Sequence, residues 1–177
     1  MPLVLNSGVH FGIKVAPRWP STRVIVDEAA FASLQLVHLR LPRNLRLILT
    51  RGHEPRSSYL SIHRTLSRYA GRKLFRLLFS NRHNEVDEIF GANGHDLDGT
   101  HVDISIELDG RRLSFLPVSV FTPLRWQARR VKKYRLLLED VRGALSICGF
   151  QIHQNPTESL QVHCDFVRLN PNTMDWA

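Results

Sequence analysis

The 177 residues of the chain are enough for one domain with a sizeable core. Hydrophobic residues make up 43% of the chain and charged residues 23%, which is typical of a globular protein and excludes a disordered or low-complexity chain. The formal net charge is +8, which favours an anionic partner such as nucleic acid, a membrane surface or an acidic cell-wall polymer.

The N-terminal segment predicts no export signal, because it lacks a basic start followed by a long apolar stretch. The longest apolar runs are also too short to cross a bilayer, so we expect no membrane span. We therefore expect synthesis in the cytoplasm, and action at the cell wall stays open. The two cysteines, Cys148 and Cys164, are too few and too far apart for a zinc site built from cysteines alone.

Helix and strand signals alternate along the first half of the chain. Residues 28–41 predict a helix with Asp27 as its N-cap and Pro42 after its end. The β-rich alternation of residues 45–50 predicts a strand. Residues 58–70 predict a second helix that ends near Gly71. Residues 72–94 are mixed, with a possible helical start and a long polar loop that is typical of a functional segment.

The second half predicts a hairpin, a long helix and two closing strands. Residues 101–108 and 111–120 flank Asp109-Gly110, a strong hairpin signal. Residues 125–148 predict one helix whose apolar positions recur every three or four residues. Residues 150–154 and 160–169 predict the closing strands. The fold class is therefore α+β, with a central antiparallel sheet and helices packed on one side, in a single domain over residues 1–177 whose core covers about 25–168.

The segment from His95 to Asp103 carries two histidines and three aspartates, and it leads into a strand. Because residues i and i+2 of a strand share a face, we expect His101, Asp103 and Ser105 on one face and Val102, Ile104 and Ile106 in the core. By the same rule, Cys164 faces the core if His163 faces a site. A catalytic zinc needs three ligands of these residue types and one open position for water. A solvated acidic loop with a turn at Asp98-Gly99 would explain the same cluster.

The stretch "GHDLDGTHVDISIELDGRRLSFLP" resembles the core motif of the zinc D-alanyl-D-alanine peptidases, which include vancomycin-resistance dipeptidases, related carboxypeptidases and phage endolysins. Their pattern is Ser-x-His-x-x-Gly-x-Ala-x-Asp, and Gly99 stands four residues before Asp103 as the pattern requires. The later stretches "LLLEDVRGALSICGF" and "ESLQVHCDF" follow in the family's order, and "LRLILTRGHEP" is similar to its upstream strand and turn. The resemblance covers about residues 25–168 and implies the hedgehog/D-Ala-D-Ala peptidase fold.

The resemblance implies a zinc ion held by His95, Asp103 and His163. His95 stands eight residues before Asp103 where the family has seven, so His101 is the alternative ligand. Glu158 would be the general base, although it lies five residues before His163 where the family has three. Arg51 or Arg56 would stabilise the oxyanion, since Gly52-His53-Glu54 replaces the family's Gly-Tyr-Arg.

The activity that the resemblance implies is hydrolysis of D-amino-acid-containing peptides of peptidoglycan by a zinc-activated water. One alternative is a metal-binding domain with impaired catalysis, because the general base is displaced. Another is a basic module that binds nucleic acid through residues 125–135, but these basic residues mostly fall off the apolar face and fit a solvated helix surface better. A convergence of the proposed ligands in space would favour the metal site.

Overall fold

A computed structural model of the chain describes residues 1–19, 21–53, 59–86, 100–113, 121–153 and 161–167. These residues form a mixed α/β structure with four α-helices, a 3-10 helix and nine strands. The helices are α1 (Glu28–Arg40), α2 (Tyr59–Leu78), the 3-10 helix (Ser80–Glu85), α3 (Leu124–Lys133) and α4 (Arg135–Ile147). The strands are β1 (Pro2–Asn6), β2 (Gly8–His10), β3 (Ile13–Val15), β4 (Arg23–Asp27), β5 (Leu45–Arg51), β6 (His101–Leu108), β7 (Arg111–Arg112), β8 (Phe150–Ile152) and β9 (Gln161–Phe166).

The main sheet has the strand order β2-β3-β5-β6-β9-β8, and β7 folds back onto β6. All of its neighbouring strands are antiparallel except β3 and β5, so the sheet is mostly antiparallel as predicted. Strands β1 and β4 pair separately in a two-stranded sheet. The four strands before α1 were not predicted, because they are only three to five residues long and carry no strong alternating pattern.

One face of the main sheet carries the hydrophobic core. Aliphatic residues of β5, β6 and β9 point to this face, and α1 and α4 cover it with their apolar sides. Val102, Ile104 and Ile106 are fully buried here, which confirms the predicted alternation of β6. Cys164 of β9 is fully buried in the same cluster, as predicted, and desolvation raises the pKa of its thiol. Strand alternation therefore leaves the other face of β6 and β9 to polar side chains.

Helix α1 begins as the sequence predicts. The carboxylate of Asp27 accepts hydrogen bonds from the backbone N–H groups of Ala29 and Ala30, at 3.0 and 3.2 Å. These bonds satisfy two of the backbone donors that a helix start leaves unpaired. The helix stops before Pro42, whose ring disfavours helical backbone at the preceding residue.

The predicted helix over residues 125–148 is interrupted. Tyr134 leaves helical geometry, with φ −108° and ψ 17°, and separates α3 from α4. Its apolar periodicity does survive, because Val131, Leu138, Val141 and Leu145 are all buried in the core. The basic residues of α3 lie off this face: Arg125, Arg129, Lys132 and Lys133 are exposed.

Helix α2 is longer than predicted. It passes through Gly71 and ends at Leu78, because the following residues are good helix formers whose helical preference outweighs the roughly 1 kcal/mol that a glycine costs in a helix interior. Near its end, Phe75 is fully buried and contacts the rings of Phe79 and Phe121, with centroids 4.9 and 6.0 Å away. None of the helices in the described ranges is both long and apolar enough to traverse a membrane.

The end of β5 is tied to the smaller sheet at Gly52. The backbone N–H of His53 donates to the carbonyl of Ile25 at 2.7 Å. A Cβ atom at Gly52 would lie 2.0 Å from that carbonyl oxygen, so the two backbones can approach this closely only if residue 52 has no side chain. This contact holds the last residue of β5, Arg51, at the edge of the polar face.

A matched pair of leucines on α1 tests the assignment of the core. Leu34 is 1% exposed and Leu39 is 79% exposed. We expect Leu34→Ala to lower the free energy of unfolding by about 2–5 kcal/mol, because it removes buried methyl groups and leaves a cavity. Leu39→Ala should change it by less than about 0.5 kcal/mol. Urea unfolding followed by circular dichroism measures both, and equal losses would contradict this packing.

Candidate metal centre

The polar face of the sheet holds two copies of a His-x-Asp pattern on neighbouring strands. One is His101-Val102-Asp103 on β6 and the other is His163-Cys164-Asp165 on β9. The strands are antiparallel, and their register pairs His101 with Asp165 and Asp103 with His163. Each histidine therefore stands opposite a carboxylate of the other strand. Both patterns point away from the core because their middle residues, Val102 and Cys164, point into it.

Asp103 is the centre of the cluster and is only 4% exposed. Its Oδ1 atom lies 2.6 Å from Nδ1 of His163 and 3.3 Å from Nε2 of His101. Burial alone would raise the pKa of Asp103, but hydrogen bonds from His101 and His163, together with the positive charges of His163 and Arg51, outweigh it and hold the pKa well below its usual range. Asp103 is therefore an ionised carboxylate in a buried position, and its charge is met by cationic neighbours.

A bulge at the end of β5 places Arg51 beside Asp103. Leu49 pairs with Ile104, but Arg51 pairs with Asp103, so Thr50 is the extra residue of β5. The hydroxyl of Thr50 donates to the backbone carbonyl of Asp103 at 3.0 Å. Arg51 Nη1 lies 3.8 Å from Asp103 Oδ2, while its Nε is buried and has no hydrogen-bond partner among the described residues. The guanidinium thus faces the cluster with a donor still available.

Two further arginines add positive charge to this face. Arg112 of β7 donates from Nη2 to the hydroxyl of Ser105 at 2.7 Å. Ser105 stands two residues after Asp103 on the same face of β6. The backbone of Arg18 donates to the carbonyl of Thr50 at 3.2 Å. Desolvation lowers the pKa of Arg18, and so do the like charges of Arg51 and Arg112, while Asp103 partly offsets them. The guanidinium groups of Arg18, Arg51 and Arg112 therefore lie near enough to one another and to the buried Asp103 to interact electrostatically.

The residues fit a zinc ion in number, type and position. His101, Asp103 and His163 each offer a ligand atom, and these atoms all lie within 4.8 Å of one another. Two histidines and one carboxylate match the donors of catalytic zinc sites, where ligand distances are about 2.0–2.2 Å and a fourth position stays open. All three side chains stand on paired strands, which favours a rigid site.

The hydrogen bond of His101 to Asp165 fits the orientation of a metal ligand. His101 Nδ1 donates to Asp165 Oδ1 at 2.7 Å, which leaves Nε2 directed towards Asp103. Metal-binding histidines commonly donate their second ring nitrogen to a carboxylate, which fixes the tautomer and the ring orientation. Sequence reasoning missed Asp165, although the repeated His-x-Asp pattern was a visible signal for it.

The structure places the predicted residues as follows. It brings Asp103, His163 and Arg51 together, and it puts His101, the alternative to His95, at the same point. His95, Glu158 and Arg56 lie outside the described residues. The choice of His95 as a ligand and of Glu158 as a base therefore stays a prediction. Comparison with protein-family models, with curated proteins and with solved structures found no match to the chain.

The charge of His101 makes the stability of the metal-free protein depend on pH. The hydrogen bond to Asp103 is the main reason that its pKa rises from 6.5 to about 9. A group whose pKa is higher in the folded state stabilises the fold below its unfolded pKa, and this contribution disappears as the pH rises through the folded value. We expect the free energy of unfolding to fall by on the order of 3 kcal/mol between pH 6.5 and 9.

Urea unfolding in the presence of a chelator measures this dependence. His101→Gln should lower stability at pH 6.5 and remove most of the slope between pH 6.5 and 9. His83→Ala is the matched control, because His83 is exposed and its Nε2 atom contacts the backbone carbonyl of Arg76, away from the cluster. A His101→Gln slope equal to that of the unchanged protein would contradict the assignment.

Proposed function

We propose that the chain is a zinc-dependent peptidase that hydrolyses D-amino-acid-containing peptides of the bacterial cell wall. The observation that supports it most directly is the convergence of His101, Asp103 and His163, with Arg51 beside them on the same sheet face. The substrate class rests on the sequence resemblance to the zinc D-alanyl-D-alanine peptidases. The hedgehog/D-Ala-D-Ala peptidase fold belongs to the same proposal.

In this proposal each residue has a defined task. His101, Asp103 and His163 hold the zinc ion, and Asp165 keeps the His101 ring in position. A zinc ion held by these residues would supply a Lewis acid and would lower the pKa of a water molecule to near neutrality. Glu158 accepts the proton of the attacking water, and Arg51 donates to the oxygen of the peptide carbonyl as negative charge develops there.

The arginines around Asp103 support a substrate that carries a carboxylate. The side chain of Arg51 is partly exposed beside Asp103, and Arg18 and Arg112 add charge from neighbouring elements. Guanidinium groups bind carboxylates through paired hydrogen bonds. A peptide with a free C-terminal carboxylate next to the scissile bond would supply the missing negative charge.

Zinc content tests the metal part of the proposal. The purified chain should contain near-stoichiometric zinc, and His163→Ala should lose it after dialysis, because one of three ligands is gone. His83→Ala should retain the zinc, since His83 lies outside the cluster. Elemental analysis of the three proteins gives the answer. Equal zinc in the His163→Ala variant, or none in the unchanged chain, would overturn the metal assignment.

Cleavage of a cell-wall peptide ending in D-alanyl-D-alanine tests the activity. Arg51→Ala should lower the rate by about 100- to 1,000-fold, the usual loss when one oxyanion donor is removed. Glu158→Gln should lower it as well, by about 100-fold or more. Arg23→Ala is a control at an exposed arginine of β4. Chromatography of the products follows the reaction. Zinc binding without any cleavage would favour the metal-binding domain without catalysis and reject the peptidase.

A further inference from the structure

A second group of ligands lies next to the first on the same sheet. His101, His153 and Asp165 each offer a ligand atom, and these atoms all lie within 4.8 Å of one another. Asp165 contacts both histidines: its Oδ1 is 2.7 Å from His101 Nδ1 and its Oδ2 is 2.7 Å from His153 Nε2. The two imidazole rings have centroids 5.6 Å apart. None of the tasks in the proposed peptidase needs His153.

The backbone fixes this second group as firmly as the first. His101 and Asp165 are direct partners in the pairing of β6 with β9. His153 follows β8, the neighbour of β9, and its backbone N–H donates to the carbonyl of His163 at 2.9 Å. Because Gln151 is the β8 partner of Asp165, His153 lies two residues further along and diagonal to Asp165, and its side chain reaches Asp165 Oδ2 at 2.7 Å. The three ligands therefore come from three neighbouring segments of the sheet, which favours a defined site.

The second group is also open to solvent on its outer side. The side chain of His153 is 49% exposed and that of Asp165 is 36% exposed, whereas Asp103 at the inner site is 5% exposed. An ion can therefore enter from solvent without passing through the inner cluster. Two imidazoles and one carboxylate suit divalent first-row transition metals such as Zn²⁺ and Cu²⁺.

We propose that His101, His153 and Asp165 form a second, outer site for a divalent transition-metal ion, which shares His101 with the inner site. The two ring nitrogens of His101 face different carboxylates: Nε2 lies 3.3 Å from Asp103 and Nδ1 lies 2.7 Å from Asp165. One nitrogen serves each ion. With both sites filled, the ring has lost its N–H proton to solvent and bridges the two ions as an imidazolate.

The sharing of His101 sets the order of binding. The inner ion takes Nε2 and leaves the Nδ1–H bond to Asp165 intact. The outer ion must displace the proton of Nδ1 and break that hydrogen bond, and metal binding that releases a proton is weakened by the competition. The outer site is therefore the weaker of the two, and we expect its affinity for zinc to be at least about tenfold lower.

Zinc titration against a chromophoric chelator tests the proposal with four variants. The unchanged chain should bind two zinc ions, one tightly and one more weakly. His153→Ala should lose only the weaker ion, because the side chain of His153 contacts Asp165 and does not belong to the inner group of His101, Asp103 and His163. His163→Ala should lose only the tighter ion, and His101→Ala should weaken both. His83→Ala, at the exposed histidine away from both sites, should bind like the unchanged chain.

Two outcomes would overturn the outer site: a single ion in the unchanged chain, or equal binding by the unchanged chain and His153→Ala. In either case Asp165 and His153 would only brace His101 through hydrogen bonds. Circular dichroism checks the fold, and His153→Gln repeats the test with a polar side chain. Two zinc ions without peptide cleavage would reject the peptidase but leave the outer site standing, so the two proposals fail separately.

Electron paramagnetic resonance with Cu²⁺ is a second test of whether His101 bridges the two ions. Two Cu²⁺ ions bridged by one imidazolate couple magnetically, so the electron paramagnetic resonance signal should grow less than additively when the second equivalent is added. His153→Ala should show only the signal of one isolated ion. Additive growth of the signal in the unchanged chain would show that His101 does not bridge the two sites.

Discussion

The structure depends on a strand, β6, that is buried on both faces although only one face is apolar. Val102, Ile104 and Ile106 fill the core on one side. The other side carries His101, Asp103, Ser105 and Glu107, and a polar group buried without a partner costs about 1–3 kcal/mol or more. Neighbouring strands must therefore supply a partner for each of these four side chains, and this requirement explains the polar residues of β3, β5, β7 and β9.

Each position of this polar row is satisfied from another strand. Glu107 is bound by Lys14 of β3 at 2.6 Å and approached by Arg46 of β5 at 3.5 Å. Ser105 accepts from Arg112 of β7 and from Gln161 of β9. The contacts of Glu107 and Ser105 are thus ion pairs and hydrogen bonds that satisfy buried groups. Asp103 and His101 differ from them, since their partners are histidines and carboxylates, which can exchange protons or bind a metal. The groups that could exchange protons or bind a metal therefore lie at the N-terminal end of β6, beside the half-buried Asp165 of β9.

The sequence predicts the direction of each side chain on β6 better than it predicts their partners. Strand alternation was enough to separate His101 and Asp103 from the core residues, and the structure confirms that separation. The same rule placed Cys164 in the core. The preference between His95 and His101 could not come from alternation, because His95 lies outside the predicted strand.

The cross-strand register, the bulge in β5 and the break between α3 and α4 could not be predicted from the sequence pattern. Asp165 and His153 gain significance only once β8, β9 and β6 are aligned, and no local pattern in β9 states which residue of β6 it will face. The bulge at Thr50, which turns Arg51 towards Asp103, is equally invisible to an alternating pattern. The break at Tyr134 was missed because the apolar spacing runs through it without a gap. Periodicity thus reports which face is buried and not whether the backbone is continuous.

The raised pKa of His101 affects how a metal ion would bind at the inner site. In the metal-free protein, a protonated His101 and Arg51 balance the charge of the buried Asp103. A divalent ion that bound there would displace the proton that His101 holds towards Asp103, so the local positive charge would rise by less than the two units of the ion. The carboxylate keeps a cationic neighbour in both states, which is the condition for leaving it ionised at 4% exposure. With an ion bound, the three arginines would face a site with excess positive charge, which an anionic group bound there would neutralise.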